Sequence, residues 1–462
     1  MSRTAIIANN RFGLGARPGD LERRDHPQAW LLDQVRGRAK PAPALDALPK
    51  TAEVLADVQA LRRERRQAKD ETAPTEDALR RYGRTVRSHY LEQTTARYAS
   101  AALTTQPFRE RLVHFFANHF AVSADKQPIP AIAGLFENEA IRPHVTGNFA
   151  DLLIAAEQHP AMLLYLDNVQ SIGPNSTLGK RARRWSSRKL GLNENLAREI
   201  LELHTLGVDG GYGQEDVVAL SEAITGWSIG GSGERGRFAE GTPGTFEFRE
   251  RIHEPGTKTV LRKRYTEAGL DQGIAVLRDL ARHPATARHL CTKLARHFVA
   301  DDAPPDLVDR LAATWLENDG ELTPVYEALL RAPEAWVDPA RKYKSPHDFV
   351  VSTLRALDRV PDDSRFVVNA LDLMGQAPWR PGSPAGWPDT AVEWGGADSL
   401  YKRIEWSNSV ARLAGNRIDP VALGDAVLGS SFSDHSRTWI SRAESRTQGL
   451  ALLLASPDFL RR

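Results

Sequence analysis

Cysteine is nearly absent: Cys291 is the only one in 462 residues. An intramolecular disulfide is therefore excluded, and so is any zinc site built on cysteine pairs. A reducing compartment fits this usage. Long apolar runs are missing as well. The N-terminal text MSRTAIIANNRFGLGARPGD has an apolar run only from Ala5 to Ala8, too short for the core of a secretory signal. No stretch approaches the roughly 20 apolar residues of a membrane span. As written, the chain is expected to be cytoplasmic and soluble. Charge of one sign is not in excess, because 61 basic and 59 acidic side chains leave a formal charge of +2. Nucleic acid and anionic membranes thus have no global electrostatic case, and recognition must be local. The chain has no P-loop, no Gly-x-Ser-x-Gly elbow, no His-Glu-x-x-His pair and no EF-hand loop. Gly13-Leu14-Gly15 lacks the surrounding strand and helix that a dinucleotide site requires.

What is present is ordinary globular composition, 41% hydrophobic and 26% charged, which argues for a sizeable core and against disorder. Apolar residues recur at helical spacing through most of the chain. The spacing predicts helices over 28–35, 52–69 and 76–104. It predicts further helices over 108–120, 130–139, 148–157, 160–166, 193–206 and 214–225. After 266 it predicts helices over 273–280, 284–299, 305–316, 398–415 and 447–455. Asn9 to Gly19 carries turn residues, 38–50 forms a Pro/Ala linker, and 70–75 is a break. Residues 245–249 alternate at period two and precede the turn Glu254-Pro255-Gly256, so a β-hairpin is expected near 245–261. The fold expected is mainly α, a large bundle-like domain with a small β-hairpin insertion. Its segments are 1–106, 107–227, 228–262 and 263–462, packed as one compact unit.

The sharpest text for chemistry is GLNENLAREILELHTLG, residues 191–207. On a regular helix Asn195, Glu199 and Glu202 share one face within about 60°, with Arg198 at its edge. Leu196, Ile200 and Leu203 form the apolar stripe beside it. Two carboxylates one turn apart can ligate a metal or divide acid and base roles. They can equally pair with Arg198 and other basic groups. His204 falls about 180° from the carboxylates, so it can join a site only by meeting another helix. In RERLVHFFANHF, residues 109–120, His114 and His119 are five apart, poorly placed to bind one metal from a regular helix. Asp167 and Asn168 follow an apolar helix and can cap the next element or supply oxygen ligands. The basic run Lys180 to Lys189, with Trp185, suits either a solvated loop or contact with phosphates.

These pieces, taken in order, resemble a large bacterial family named domain of unknown function 1800. The likeness runs through NRFGLGA, HFFANHFAV, HPAMLLYLDN and GPNS to NENLAREILELHTLGVDGGY. It continues through TGW, HPATARHLCTKLARHF and GQAPWRPGSPAGWPD, and so covers nearly the whole chain. The resemblance implies no established activity. It implies that relatives are often exported, and that many are found beside a protein similar to alkaline phosphatases and sulfatases, a candidate partner in one pathway. One departure is His253-Glu254-Pro255-Gly256, where the family tends to have His-Asp-x-Gly.

The function expected is that of a hydrolase-like enzyme with a polar pocket between helices, dependent on a divalent metal in one version. Its catalytic groups would be Glu199, Glu202, His204 and Asn195, and its substrate-binding groups Asn168, Arg198 and His119. Asp167, Glu199 and Glu202 would hold the metal. The alternatives are a non-catalytic assembly protein with a buried polar network, and anion or nucleic-acid binding through 180–189. A water-accessible cavity lined by the named groups would favour the enzyme; a sealed, fully paired network would favour the scaffold.

Overall fold

The computed structural model describes residues 2–23, 25–70, 76–185, 191–231, 241–337, 342–360 and 364–462. Helix makes up 63% of the chain and strand 4%, which places the fold in the mainly α class. No helix among the described residues is long and apolar enough to cross a membrane. The expected 70–75 break falls mostly outside the described residues.

Local sequence sets the helix starts. Proline occupies the first turn of Pro27–Arg36, Pro107–His119, Pro284–Phe298 and Pro346–Ala356, where its missing N–H costs nothing. The two His-Pro-Ala segments share one cap. The Nδ1 atoms of His159 and His283 accept from the N–H groups of Ala161 and Ala285, each at 3.1 Å.

Three helices widen into π turns, at Ala8–Phe12, Glu137–Ile141 and Ile200–His204. The first of these corrects the expected turn at Asn9: residues 8–12 are helical, and Asn9 folds back on Ala5 through its side-chain amide. The Gly13-Leu14-Gly15 segment that follows is a buried crossing. Its carbonyls accept from Arg111 Nε at 2.6 Å and Arg355 Nε at 2.8 Å.

Among the described residues there are two antiparallel hairpins instead of one. Strand β1, Trp227–Ile229, pairs with β2, Phe246–Phe248. Strand β3, Lys258–Val260, pairs with β4, Lys263–Tyr265. The expected strands near 246 and 259 therefore exist, but each pairs with a neighbour other than the one predicted. The tight turn at Leu261 and Arg262, both at positive φ, closes the second hairpin. The basic run is also partly helical: Thr177–Trp185 forms a helix, and 186–190 lie outside the described residues.

Burial organises the helices around two apolar clusters. The larger includes Phe12, Phe108, Phe116, Phe149, Leu290, Phe298 and Trp315. The smaller joins Ile6, Leu14 and Leu21 to Phe349, Trp406, Leu450 and Phe459 near the C-terminus. Ile7 and Phe12 belong to the first cluster and Ile6 and Leu14 to the second, so the N-terminal segment stitches the two together. Pro107–His119 and Pro284–Phe298 feed the larger cluster and Pro346–Ala356 the smaller.

Candidate functional site

A cavity of about 330 Å³ is lined by residues of both clusters' helices. Pro107–His119 contributes Arg111, His114, Asn118 and His119, and Pro284–Phe298 contributes Lys293, Arg296 and His297. Ser345, His347 and Asp348 come from the start of the 346–356 helix. The Pro- and Trp-rich segment supplies Trp379, Trp387 and Asp389. That segment is held to the 107–119 helix by a reciprocal pair. Asn118 Nδ2 donates to the Trp387 carbonyl at 2.9 Å, and Trp387 N–H donates to Asn118 Oδ1 at 2.7 Å. Gly386 lies at φ 80° with its α-carbon so close to the Asn118 carbonyl that a Cβ would sit 2.3 Å from the oxygen. Only glycine fits there.

Lys293 and His297 are one turn apart on the same face of their helix, which brings both into the cavity. His297 Nδ1 lies 3.0 Å from Asp389 Oδ2. A carboxylate only accepts, so Nδ1 carries the proton and Nε2 the lone pair. Nε2 is buried with no hydrogen-bond partner among the described residues. Burial pulls His297 below the usual imidazole range, more than Asp389 raises it. Asp389 is pushed up by burial, but His297, Lys342 and Arg462 outweigh this and hold it down at about 2.

Lys293 Nζ donates to His119 Nδ1 at 3.1 Å. The other nitrogen of that ring, Nε2, donates to the His204 carbonyl at 3.1 Å, so His119 is neutral and its tautomer is fixed. Burial, with Lys293 adding to it, holds His119 well below the usual imidazole range. Lys293 makes no ion pair among the described residues, and burial lowers it to about 8 although the charge of Asp389 works the other way.

A second chain of hydrogen bonds runs along the seam. Tyr98 Oη lies 2.7 Å from His347 Nδ1, and His347 Nε2 lies 3.0 Å from His114 Nδ1. His114 Nε2 points to Glu110 at 3.4 Å, and Glu110 holds Arg142 through two bonds of 2.6 and 2.8 Å. Burial works against the Glu110 carboxylate, but Arg142 overrides it and keeps it ionised. Burial lowers both His114 and His347 below the usual imidazole range and so keeps both rings neutral.

The residues singled out in the sequence are placed as follows. Of the eight, His119 alone lines this cavity. His204 meets a neighbouring helix: its Nδ1 is 2.7 Å from Glu157 Oε1, and both side chains are fully buried. Asn195 is exposed at its helix start, and its N–H donates to Asn193 Oδ1 at 3.0 Å. Asn168 is buried, and its amide donates to the Ile224 and Trp227 carbonyls, where it ties two chain segments together. Asp167 pairs with Lys126 at 2.7 Å from a positive-φ position. Arg198 pairs with Glu194 at 3.0 Å, and both are only partly buried, so the pair reaches solvent. Glu202 accepts from Tyr212 Oη at 3.3 Å. Glu199 is half-buried, and burial raises it above the usual carboxylate range. Among the described residues, no three His, Cys, Asp or Glu side chains converge as a metal site would require. Asp167, Glu199 and Glu202 are therefore not brought together as a ligand set.

Motifs outside the cavity meet at a different place. Glu254 accepts from both the main-chain N–H and the amide of Asn175, each at 2.6 Å. His253 Nδ1 donates to the Thr225 carbonyl at 2.9 Å, and Glu254 N–H donates to Thr225 Oγ1 at 2.8 Å. GPNS, TGW and the His253–Gly256 turn thus lock one another, which gives each a structural role.

A mainly α chain with a cavity at the seam of two apolar clusters is the class that these observations define. The family described as Protein of unknown function (DUF1800) matches residues 7–461, and the chain belongs to it. No curated protein and no solved structure matches the chain.

Proposed function

We propose that the chain is a hydrolase-like enzyme whose reaction centre is the seam cavity. His297 is the general base, Asp389 orients it, and Lys293 supplies positive charge. The observation that carries this reading is the His297–Asp389 pair: the ring lines the cavity, and its Nε2 is buried with no hydrogen-bond partner among the described residues. An imidazole so held is neutral near pH 7 and offers its lone pair to the proton of a water or hydroxyl. Lys293, one turn earlier, stands where negative charge developing on the attacked group would be stabilised in a low-dielectric space. The groups first singled out at 195–202 lie outside this centre and are not given a catalytic role. A shared pathway with a phosphatase- or sulfatase-like protein remains part of the proposal and rests on the family resemblance alone.

The test is a screen of the full-length protein against chromogenic carboxylic, phosphate and sulfate esters and glycosides, repeated with His297→Gln and Asp389→Asn. Turnover of one class is expected, with a loss of about 10²–10⁴-fold in His297→Gln at unchanged far-UV dichroism. Full activity in His297→Gln would refute the assignment.

A further inference from the structure

We infer that the cavity receives its substrate through an anionic group seated on Lys293, with the apolar remainder against the Trp379–Trp387 wall. This inference rests on the cavity being the reaction centre. The charges around it divide unevenly. Asp348 is met by Arg111 and Arg462, each at 2.9 Å. Asp389 is met by His297 and Lys342. Arg97 is matched by Glu137 at 2.9 Å. Lys293 makes no ion pair among the described residues, where its one hydrogen bond is to the neutral ring of His119 and Asp389 is the carboxylate whose charge acts on it. Arg296 adds a further exposed cation on the same helix. The surplus is therefore positive, and a half-buried ammonium that shares Asp389 with His297 and Lys342 is incompletely compensated until an anion reaches it.

The Pro- and Trp-rich part of the lining offers a different chemistry. Pro378, Pro381 and Pro388 lack main-chain N–H groups, and the indole N–H of Trp379 is taken up by Glu137 at 3.1 Å. The backbone of Trp387 is fixed by Asn118. Such a wall takes an apolar or ring-shaped body rather than a second polar group. A carboxylate and a sulfate or phosphate ester share the anionic chemistry, and the arms of the test separate them.

The full-length protein is titrated with benzoate, acetate, sulfate and inorganic phosphate at constant ionic strength. The readouts are the thermal unfolding midpoint and the rate at which an amine-reactive acylating reagent labels Lys293, followed by peptide mass spectrometry. At about ten times its Kd, the preferred anion should slow labelling about tenfold and raise the midpoint. Benzoate should outcompete acetate. Lys293→Met should abolish the midpoint shift, and His297→Gln should retain it. If no anion protects Lys293 in the wild-type protein, or if Lys293→Met keeps the shift, the inference is overturned. The labelling readout needs no variant, so it decides the matter even if Lys293→Met fails to fold. Absence of anion binding alongside His297-dependent turnover would remove the anionic substrate and leave the reaction centre standing. Lys293-dependent anion binding in a protein fully active without His297 would instead remove the reaction centre.

Discussion

Replacing His204 by alanine isolates the energetics beneath the cavity. Glu157 and His204 are both fully buried and lie 2.7 Å apart. No other partner for the Glu157 carboxylate occurs among the described residues. His204→Ala therefore strands a carboxylate in the apolar cluster around Phe120 and Phe149. Removal of one member of a buried pair costs about 3–5 kcal/mol. Glu157→Gln is the control. The amide keeps the shape of the carboxylate and carries no charge, so the cost should be near 1 kcal/mol. The bond from His119 to residue 204 goes to the main-chain carbonyl, so the cavity wall should survive either change. Urea unfolding followed by far-UV dichroism gives both numbers through the midpoint shift and the m-value. If His204→Ala lies within 1 kcal/mol of wild type, or if Glu157→Gln is as damaging, the argument that the pair neutralises a buried charge is refuted.

Arg198→Ala should cost only about 0.3–0.5 kcal/mol, because its pair with Glu194 reaches solvent and is screened; a loss near 3 kcal/mol in the same unfolding assay would mean the pair is buried. Gly386→Ala should lower the thermal midpoint and change the tryptophan emission of the 376–390 segment, since a Cβ there meets the Asn118 carbonyl at 2.3 Å; an unchanged spectrum would contradict that contact. Burial holds His289 down at about 4, and it also lowers His119, His297 and His347. The unfolded chain binds protons to these rings more readily, so stability present above about pH 6.5 is lost as pH falls toward 4, by up to about 1.4 kcal/mol per pH unit per ring. A flat midpoint between pH 7 and 5 would contradict this. Glu199→Gln and Glu202→Gln should leave any His297-dependent turnover unchanged, and loss of that turnover would return the site to the 195–202 face.

Helices were legible because proline starts, caps and apolar spacing act locally. Pro284, capped by His283, and Asn148 as the cap of Phe149–Gln158 are read directly from neighbours in sequence. At Ile200–His204 the helical wheel was only partly a guide, for a local reason too. A π turn has more residues per turn than an α-helix, so a wheel drawn at α spacing assigns the wrong direction to each residue after Glu199. His204, expected on the side away from the carboxylates, meets Glu157 of a neighbouring helix. The hairpins were half-legible, since alternation marks a strand but does not name its partner. The His297–Asp389 pair was missed because its members are 92 residues apart. One sign of it was available: Lys293 and His297 sit four apart, beside the apolar line of Leu290 and Leu294. A lysine at the edge of a fully buried stripe calls for an explanation that a solvated face does not supply. Asp389 carried no comparable sign, because its role depends on where the 376–390 segment folds back across the seam.

The most direct test of the account is a crystal structure of the protein with the compound that the substrate screen identifies, or with its product. The account predicts electron density for that compound within the seam cavity, in contact with Lys293 Nζ and within hydrogen-bond reach of His297 Nε2. Density on the Glu199 and Glu202 face, with the cavity empty, would contradict it.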